Sequence, residues 1–188
     1  GQIPIYYNYK MPSRLMAKSP KLINDIPLRA YQFSVGETSY WLEYGNKPLY
    51  PFGYGLTYTS FEYGPVVLSD TSLIASSPHR LIASCEISNT GNRDAVAVPQ
   101  LYIRDVIGSL TRPLRELKGF QRVEIPAGET RTVTFEISEQ ELAYWHLAEG
   151  VSLGENGPYT FSAEKGDFHV WIAPHSAEGH PAQFTLKK

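Results

Sequence analysis

From about residue 63 onward, apolar and polar residues alternate with a period of two, and that alternation restricts this chain more than any other feature in it. Over residues 80–88, Leu81, Ala83, Cys85 and Ile87 point one way while Arg80, Ser84, Glu86 and Ser88 point the other, the pattern of an antiparallel strand with one face in a core. Val133, Phe135 and Ile137 alternate with Thr132, Thr134 and Glu136, and Phe168, Val170 and Ile172 with His169 and Trp171. Turns fall between them at Asn89-Thr90-Gly91-Asn92, Pro126-Ala127-Gly128-Glu129 and Glu155-Asn156-Gly157-Pro158. Further strands are predicted over about 96–105, with Pro99 marking a bulge or an edge, over about 117–125, over 144–147 and over 183–186. Ser138-Glu139-Gln140-Glu141 has the form of a capping box and predicts one helical turn before the strand at Tyr144. From residue 62 on, the count is seven or eight short strands, which predicts an all-β fold, a β-sandwich of the immunoglobulin or fibronectin type III kind.

The part before residue 62 is built differently. Ten of the thirteen tyrosines lie at or before Tyr63, and Pro12, Pro20, Pro27, Pro48 and Pro51 forbid a long helix. Such an aromatic, irregular stretch cannot easily build its own core, so it is expected to wrap over another surface. With no initiating Met and strand-like density from its first residues, the chain reads as if cut from something longer.

Composition removes several function classes. A formal net charge of -2 with no Lys/Arg cluster gives no electrostatic reason for nucleic acid or an anionic membrane as a partner. No apolar run approaches the roughly 18 residues of a membrane span. The single cysteine, Cys85, alternates in phase with apolar neighbours and reads as a buried thiol rather than a nucleophile.

Three stretches carry a resemblance. Pro48-Leu49-Tyr50-Pro51-Phe52-Gly53-Tyr54-Gly55-Leu56-Thr57-Tyr58-Thr59-Ser60-Phe61 resembles the signature that joins the second catalytic domain of family 3 glycoside hydrolases to their last domain. Arg112-Pro113-Leu114-Arg115-Glu116-Leu117-Lys118-Gly119-Phe120, preceded by Asn89-Thr90-Gly91 and Pro99-Gln100-Leu101-Tyr102, is similar to that family's fibronectin-like domain. The opening Gly1-Gln2-Ile3-Pro4-Ile5-Tyr6-Tyr7-Asn8 is similar to the last strand of its α/β sandwich domain, most of all in the periplasmic β-glucosidases of bacteria. The resemblance implies that residues 1–61 end an α/β sandwich domain and supply a connecting loop, and that residues 62–188 form the fibronectin type III-like sandwich. It also implies a parent β-glucosidase that hydrolyses terminal β-D-glucosyl residues with retention, using two carboxyl groups roughly 5 Å apart. Those two carboxylates belong upstream in the family, so no catalytic residue is assigned to this chain, and no cofactor or metal is implied. The partners implied are the catalytic domains of the same parent and, for the parent, a β-glucoside or oligosaccharide. The implied compartment is periplasmic or secreted, with the cytoplasm as the alternative.

Individual residues carry two readings each. Tyr40, Trp41, Tyr44 and Tyr54 are candidates for stacking on sugar rings, against the reading that they pack on neighbouring domains. Arg112 and Arg115, with Phe52 and Tyr58, are candidates for contact with a catalytic domain, whereas the run Arg112, Arg115, Glu116, Lys118 also has the form of a solvated face. Trp145 and Trp171 read as sandwich or rim residues. His169, His175 and His180 lack a ligand pattern for zinc, and Asp70, Asp94 and Asp105 sit where Asp caps backbone. A free-standing carbohydrate-binding or adhesion module is the alternative reading of the whole. A separated piece would leave apolar surface uncovered, and a homodimer is one way of covering it.

Overall fold

The computed structural model describes residues 50–110, 112–147 and 158–187. Tyr40, Trp41, Tyr44, the Gly1 to Asn8 stretch and the turn at Glu155 to Gly157 lie outside them. Gln2–Phe52 is one compact unit and Gly53 to Lys188 another, and the description below concerns the latter.

In this unit the alternating segments become the long strands β4 (Leu81–Asn89), β9 (Thr130–Ile137) and β12 (Gly166–Ala173). Around them are β1 (Phe61–Tyr63), β2 (Val67–Leu68), β3 (Ser72–Ile74), β5 (Ala95–Ala97), β6 (Gln100–Asp105), β7 (Glu116–Phe120), β8 (Val123–Ile125), β10 (Tyr144–Leu147), β11 (Tyr159–Ser162) and β13 (Ala182–Lys187). The smaller sheet has β4 at its centre, with β1 and β2 along one edge and β9 along the other. The larger runs β3-β13-β12-β6-β7, antiparallel except where β13 meets β3. Two short ribbons, β5–β8 and β10–β11, complete the fold.

The core lies between the sheets because the inward phase of each long strand is apolar. Leu81, Ala83, Cys85 and Ile87 of β4 face Val133, Phe135 and Ile137 of β9, and all are buried. Leu101, Ile103, Phe168, Val170, Ile172, Phe184 and Leu186 come from the larger sheet, with the Phe168 and Phe184 rings stacked at 5.4 Å. Each such side chain contributes about 1.5–3 kcal/mol by leaving water. Burial pushes the Cys85 thiol up, against a hydrogen bond to Gly64 O, so it behaves as a small core hydrophobe. Helix α1 (Glu139–Leu142) is a single turn with the expected box: Ser138 Oγ accepts from Gln140 N, and Glu141 accepts from Ser138 N at 2.7 Å.

Two expected strands are each divided. The run over 96–105 breaks at Pro99 into β5 and β6, which belong to different sheets, and the run over 117–125 breaks at Gln121-Arg122 into β7 and β8. The physical cause is the missing donor at Pro99: its N cannot join a ladder, while its carbonyl accepts from Gln121 N at 3.1 Å. Both strands therefore change sheet at the same level. Strands of two or three residues raise the number among the described residues to thirteen rather than seven or eight.

Candidate docking site on the outer face of the larger sheet

An antiparallel sheet in a sandwich ordinarily keeps one face wet. The centre of the larger sheet does not. In β6, the consecutive residues Gln100, Leu101, Tyr102 and Ile103 are all buried, as are Val170, Trp171, Ile172 and Ala173 of β12. Leu101, Ile103, Val170 and Ile172 belong to the core. Gln100, Tyr102, Trp171 and Ala173 alternate with them and face outward, Tyr102 opposite Trp171 and Gln100 opposite Ala173.

Within the unit this outer face is covered by three pieces. The Arg115 guanidinium lies 4.3 Å over the Trp171 ring. The loop at Pro174 to Gly179 turns back over the end of β12, and the segment from Gly53 to Ser60 forms a strap. Gln100 joins strap to loop: its Nε2 donates to Gly53 O at 2.9 Å and to Pro174 O at 2.6 Å, and its Oε1 accepts from the Tyr102 hydroxyl. Gly53 has φ of +80°, and a Cβ there would sit 2.1 Å from Gln100 Oε1 and 2.5 Å from the Tyr102 hydroxyl. Only glycine satisfies both conditions. Burial pushes the Tyr102 hydroxyl up to about 12, with Arg115 pulling the other way. The Trp171 Nε1 is buried and finds no acceptor among the described residues.

The other end of the strap is held by Asn89. Its Oδ1 accepts from Thr59 Oγ1 at 2.7 Å and from Gly91 N at 3.1 Å, and its Nδ2 donates to Arg93 O at 2.7 Å and Ile125 O at 2.9 Å. All four hydrogen-bonding positions of the amide are filled. Between the two anchors, Leu56 and Tyr58 stand 90% and 92% exposed. A groove of about 410 Å³ opens beside the strap, lined among others by Tyr54, Leu56, Phe61, Tyr63 and His175. Tyr54 faces His175 with ring centroids 5.5 Å apart, and His175 Nε2 is 3.0 Å from Glu178.

The charged run at 112–118 is not a solvated face. Arg112 lies 4.0 Å over the Tyr144 ring and pairs with Glu116, which also takes Lys118 Nζ at 2.7 Å. The Arg112 and Lys118 side chains are only 15% and 14% exposed, so the charges fold back onto the sandwich. Behind them is a second polar knot. Glu164 accepts from the Tyr144 hydroxyl at 2.6 Å and from Ser109 N at 2.9 Å, and the His146 ring bridges Ser162 Oγ and Leu147 O, both at 2.9 Å. Burial raises the Glu164 carboxyl, but the hydrogen bonds from Tyr144 and Ser109 bring it below the usual carboxylate range. Asp70, Asp94 and Asp105 accept from backbone N–H groups of Thr71, Ala127 and Ile107, the capping role expected of them.

Of the residues singled out by sequence, Tyr54 and Arg115 belong to the neighbourhood of this face, Arg112 to the separate knot, and Phe52 and Tyr58 present exposed rings. Trp171 is buried, whereas Trp145 is exposed on the β10–β11 ribbon. Sequence reasoning gave no separate role to Gln100 or Asn89, although both lie inside quoted motifs. Their signal is a polar side chain beside a Pro or Gly that leaves backbone groups to be satisfied.

Residues 97–176 match the fibronectin type III-like domain family. The periplasmic β-glucosidase of Salmonella typhimurium is 35% identical over 186 residues, which is 99% of this chain and 21% of that protein. A putative β-xylosidase of Formosa agariphila is 35% identical over 178 residues, 93% of this chain and 22% of that protein. Among solved structures, a β-glucosidase from Erythrobacter marinus aligns with a TM-score of 0.67 and 35% identity over 78% of this chain and 18% of its own. The chain thus spans about a fifth of the length of these relatives.

Proposed function

This chain belongs to the fibronectin type III-like region of the glycoside hydrolase family 3 enzymes, and from that premise we propose that it braces the catalytic domains of a parent β-glycosidase without performing the chemistry. The observation that carries this reading is the doubly buried centre of the larger sheet, where Gln100, held by the Tyr102 hydroxyl, bonds both a glycine strap and a loop and Trp171 is covered by Arg115. A face built for chemistry would leave titratable or nucleophilic groups aimed at a ligand; here the amide of Gln100 ties two backbone segments together.

In this reading the change of domain falls near residue 61, with residues 1–61 closing an α/β domain, residues 62–188 forming the sandwich domain, and the Gly53 to Ser60 strap as the joint. Leu56, Tyr58, Phe52 and the groove beside Tyr54 are the surface offered to the neighbouring domains. The parent removes terminal β-glucosyl residues by a retaining route, with both carboxylates upstream, and works in the periplasm or outside the cell. Support comes from the names of the relatives and from the share of each that this chain spans.

The test has two arms. The purified chain is expected to fold and to leave an aryl β-glucoside untouched; turnover above a blank, abolished with the chain and not with a contaminant, overturns the reading. In the full-length parent, Tyr58→Asp is expected to lower thermal stability while leaving the spectrum of the isolated chain unchanged. A parent indifferent to Tyr58→Asp and Leu56→Asp together would also overturn it.

A further inference from the structure

The β10–β11 ribbon carries an aromatic face that the brace does not use. Trp145 pairs across the ribbon with Phe161, and Leu147 with Tyr159, so these side chains share one face. Trp145, Tyr159 and Phe161 are 64%, 65% and 54% exposed. Three neighbouring exposed rings are unusual on a soluble surface, where single apolar residues are common and clusters mark a binding face.

The opposite face of the same ribbon is fixed. Tyr144 is held by Glu164 and Ser109 and covered by Arg112, and His146 bonds Ser162. The aromatic face is therefore presented on a pre-set support, which lowers the ordering cost of binding.

We propose that Trp145, Tyr159 and Phe161 form a binding platform for a soluble β-linked glycan strand. Area argues against a separate partner protein held by this face alone: three rings so exposed offer about 400 Å² at most, about half of the ~800 Å² per partner that a stable complex between free proteins needs. Among the described residues, the two strands place only Trp145, Leu147, Tyr159 and Phe161 on this face and none is charged, whereas the Trp145 N–H and Tyr159 hydroxyl supply polar tips beside apolar ring faces. A sugar chain has that same mixture, C–H faces edged by hydroxyls. The rings of Trp145 and Phe161 are 5.4 Å apart and tilted by 50°, so the two do not form one flat plane of the kind that suits a crystalline surface. The choice of a β-linked glycan over other neutral polymers rests on the glycosidase reading above; the platform itself does not.

Affinity gel electrophoresis of the full 188-residue chain in barley β-glucan, in xylan and in a glycan-free gel tests the proposal. Retardation by at least one glycan is expected, weakened about tenfold in apparent affinity by Trp145→Ala and unchanged by Thr132→Val on the far sheet. Phe161→Ala serves as a second variant in case Trp145→Ala alters the fold, which near-ultraviolet circular dichroism checks. No retardation by either glycan, or retardation that survives Trp145→Ala and Phe161→Ala combined, overturns the proposal. So does a dimer in sedimentation that the same pair of substitutions dissociates, because the face is then a self-contact. Since this readout needs no catalytic parent, its failure leaves the bracing role standing, and failure of the brace leaves it untouched.

Discussion

The two sheets turn opposite kinds of outer face away from the core. On the smaller sheet, Thr130, Thr132, Thr134 and Glu136 of β9 are exposed, ranged opposite Ser88, Glu86, Ser84 and Ile82 of β4, and the Ser88 and Thr130 hydroxyls bond each other at 2.7 Å. This is the wet face expected of a sandwich. On the larger sheet the corresponding positions hold Gln100, Tyr102 and Trp171, all buried. The same strand geometry thus serves two ends: one face is finished by water, the other by more protein. The difference identifies which side of the sandwich has been given to other parts of the chain.

Trp171→Ala should break that contrast most severely. It removes a buried indole together with the surface on which Arg115 rests, and a loss of about 3–5 kcal/mol is expected, read from urea unfolding of the chain. A loss under about 1 kcal/mol would place Trp171 with ordinary surface residues and dissolve the distinction between the faces.

The strap gives the next largest effect and a built-in control. Gly53 and Gly128 have φ of +80° and +75°, but a Cβ at Gly128 meets nothing within 4 Å. Gly128→Ala therefore reports backbone strain alone, about 1 kcal/mol, whereas Gly53→Ala adds displacement of Gln100 and Tyr102 and should cost more, up to about 3 kcal/mol. Equal losses at the two positions would mean that Gln100 does not hold the strap.

Glu164 sharpens the picture through pH. Its carboxyl sits below the usual range in the folded chain because of the bonds from Tyr144 and Ser109, so the stability it contributes is present above the ordinary Glu value of about 4.3 and is lost as pH falls through the lower folded value. Wild type should exceed Glu164→Gln by about 1 kcal/mol near neutrality, and thermal unfolding should show the gap closing below about pH 4. A gap that persists in acid would assign the effect to packing of the ribbon rather than to the carboxylate.

Much of this was legible in the sequence. The alternation of Leu81 to Ile87 and of Val133 to Ile137 located the inner faces, and Ser138 with Glu141 located α1, because both signals are local. The outer burial was not legible: periodicity distinguishes the two faces of a strand but not whether a second layer covers the outward one, so Trp171 and Trp145 received the same reading, sandwich or rim, although one is buried and the other exposed. The two sheet changes were hidden for a related reason. Val96 to Asp105 is one apolar-rich run, and only the pairing partners, β8 on one side of Pro99 and β12 on the other, show that it serves two sheets. The Arg112 run was ambiguous because its charges are paid off by Glu116 and the Tyr144 ring, which no sequence spacing reveals.

The smallest effect is expected on the wet face, and it matters because it bounds the others. Thr132 sits opposite Glu86 on β4 and is exposed. Thr132→Val keeps the branched Cβ that suits a strand and replaces only the hydroxyl, so unfolding free energy should change by less than about 0.5 kcal/mol. Gln100, at an outward position of the larger sheet, admits no such exchange, since its Nε2 is fixed to Gly53 O and Pro174 O. A shift above about 1 kcal/mol at Thr132 would mean that the smaller sheet is also covered by protein, and the two outer faces would then have to be regarded as alike.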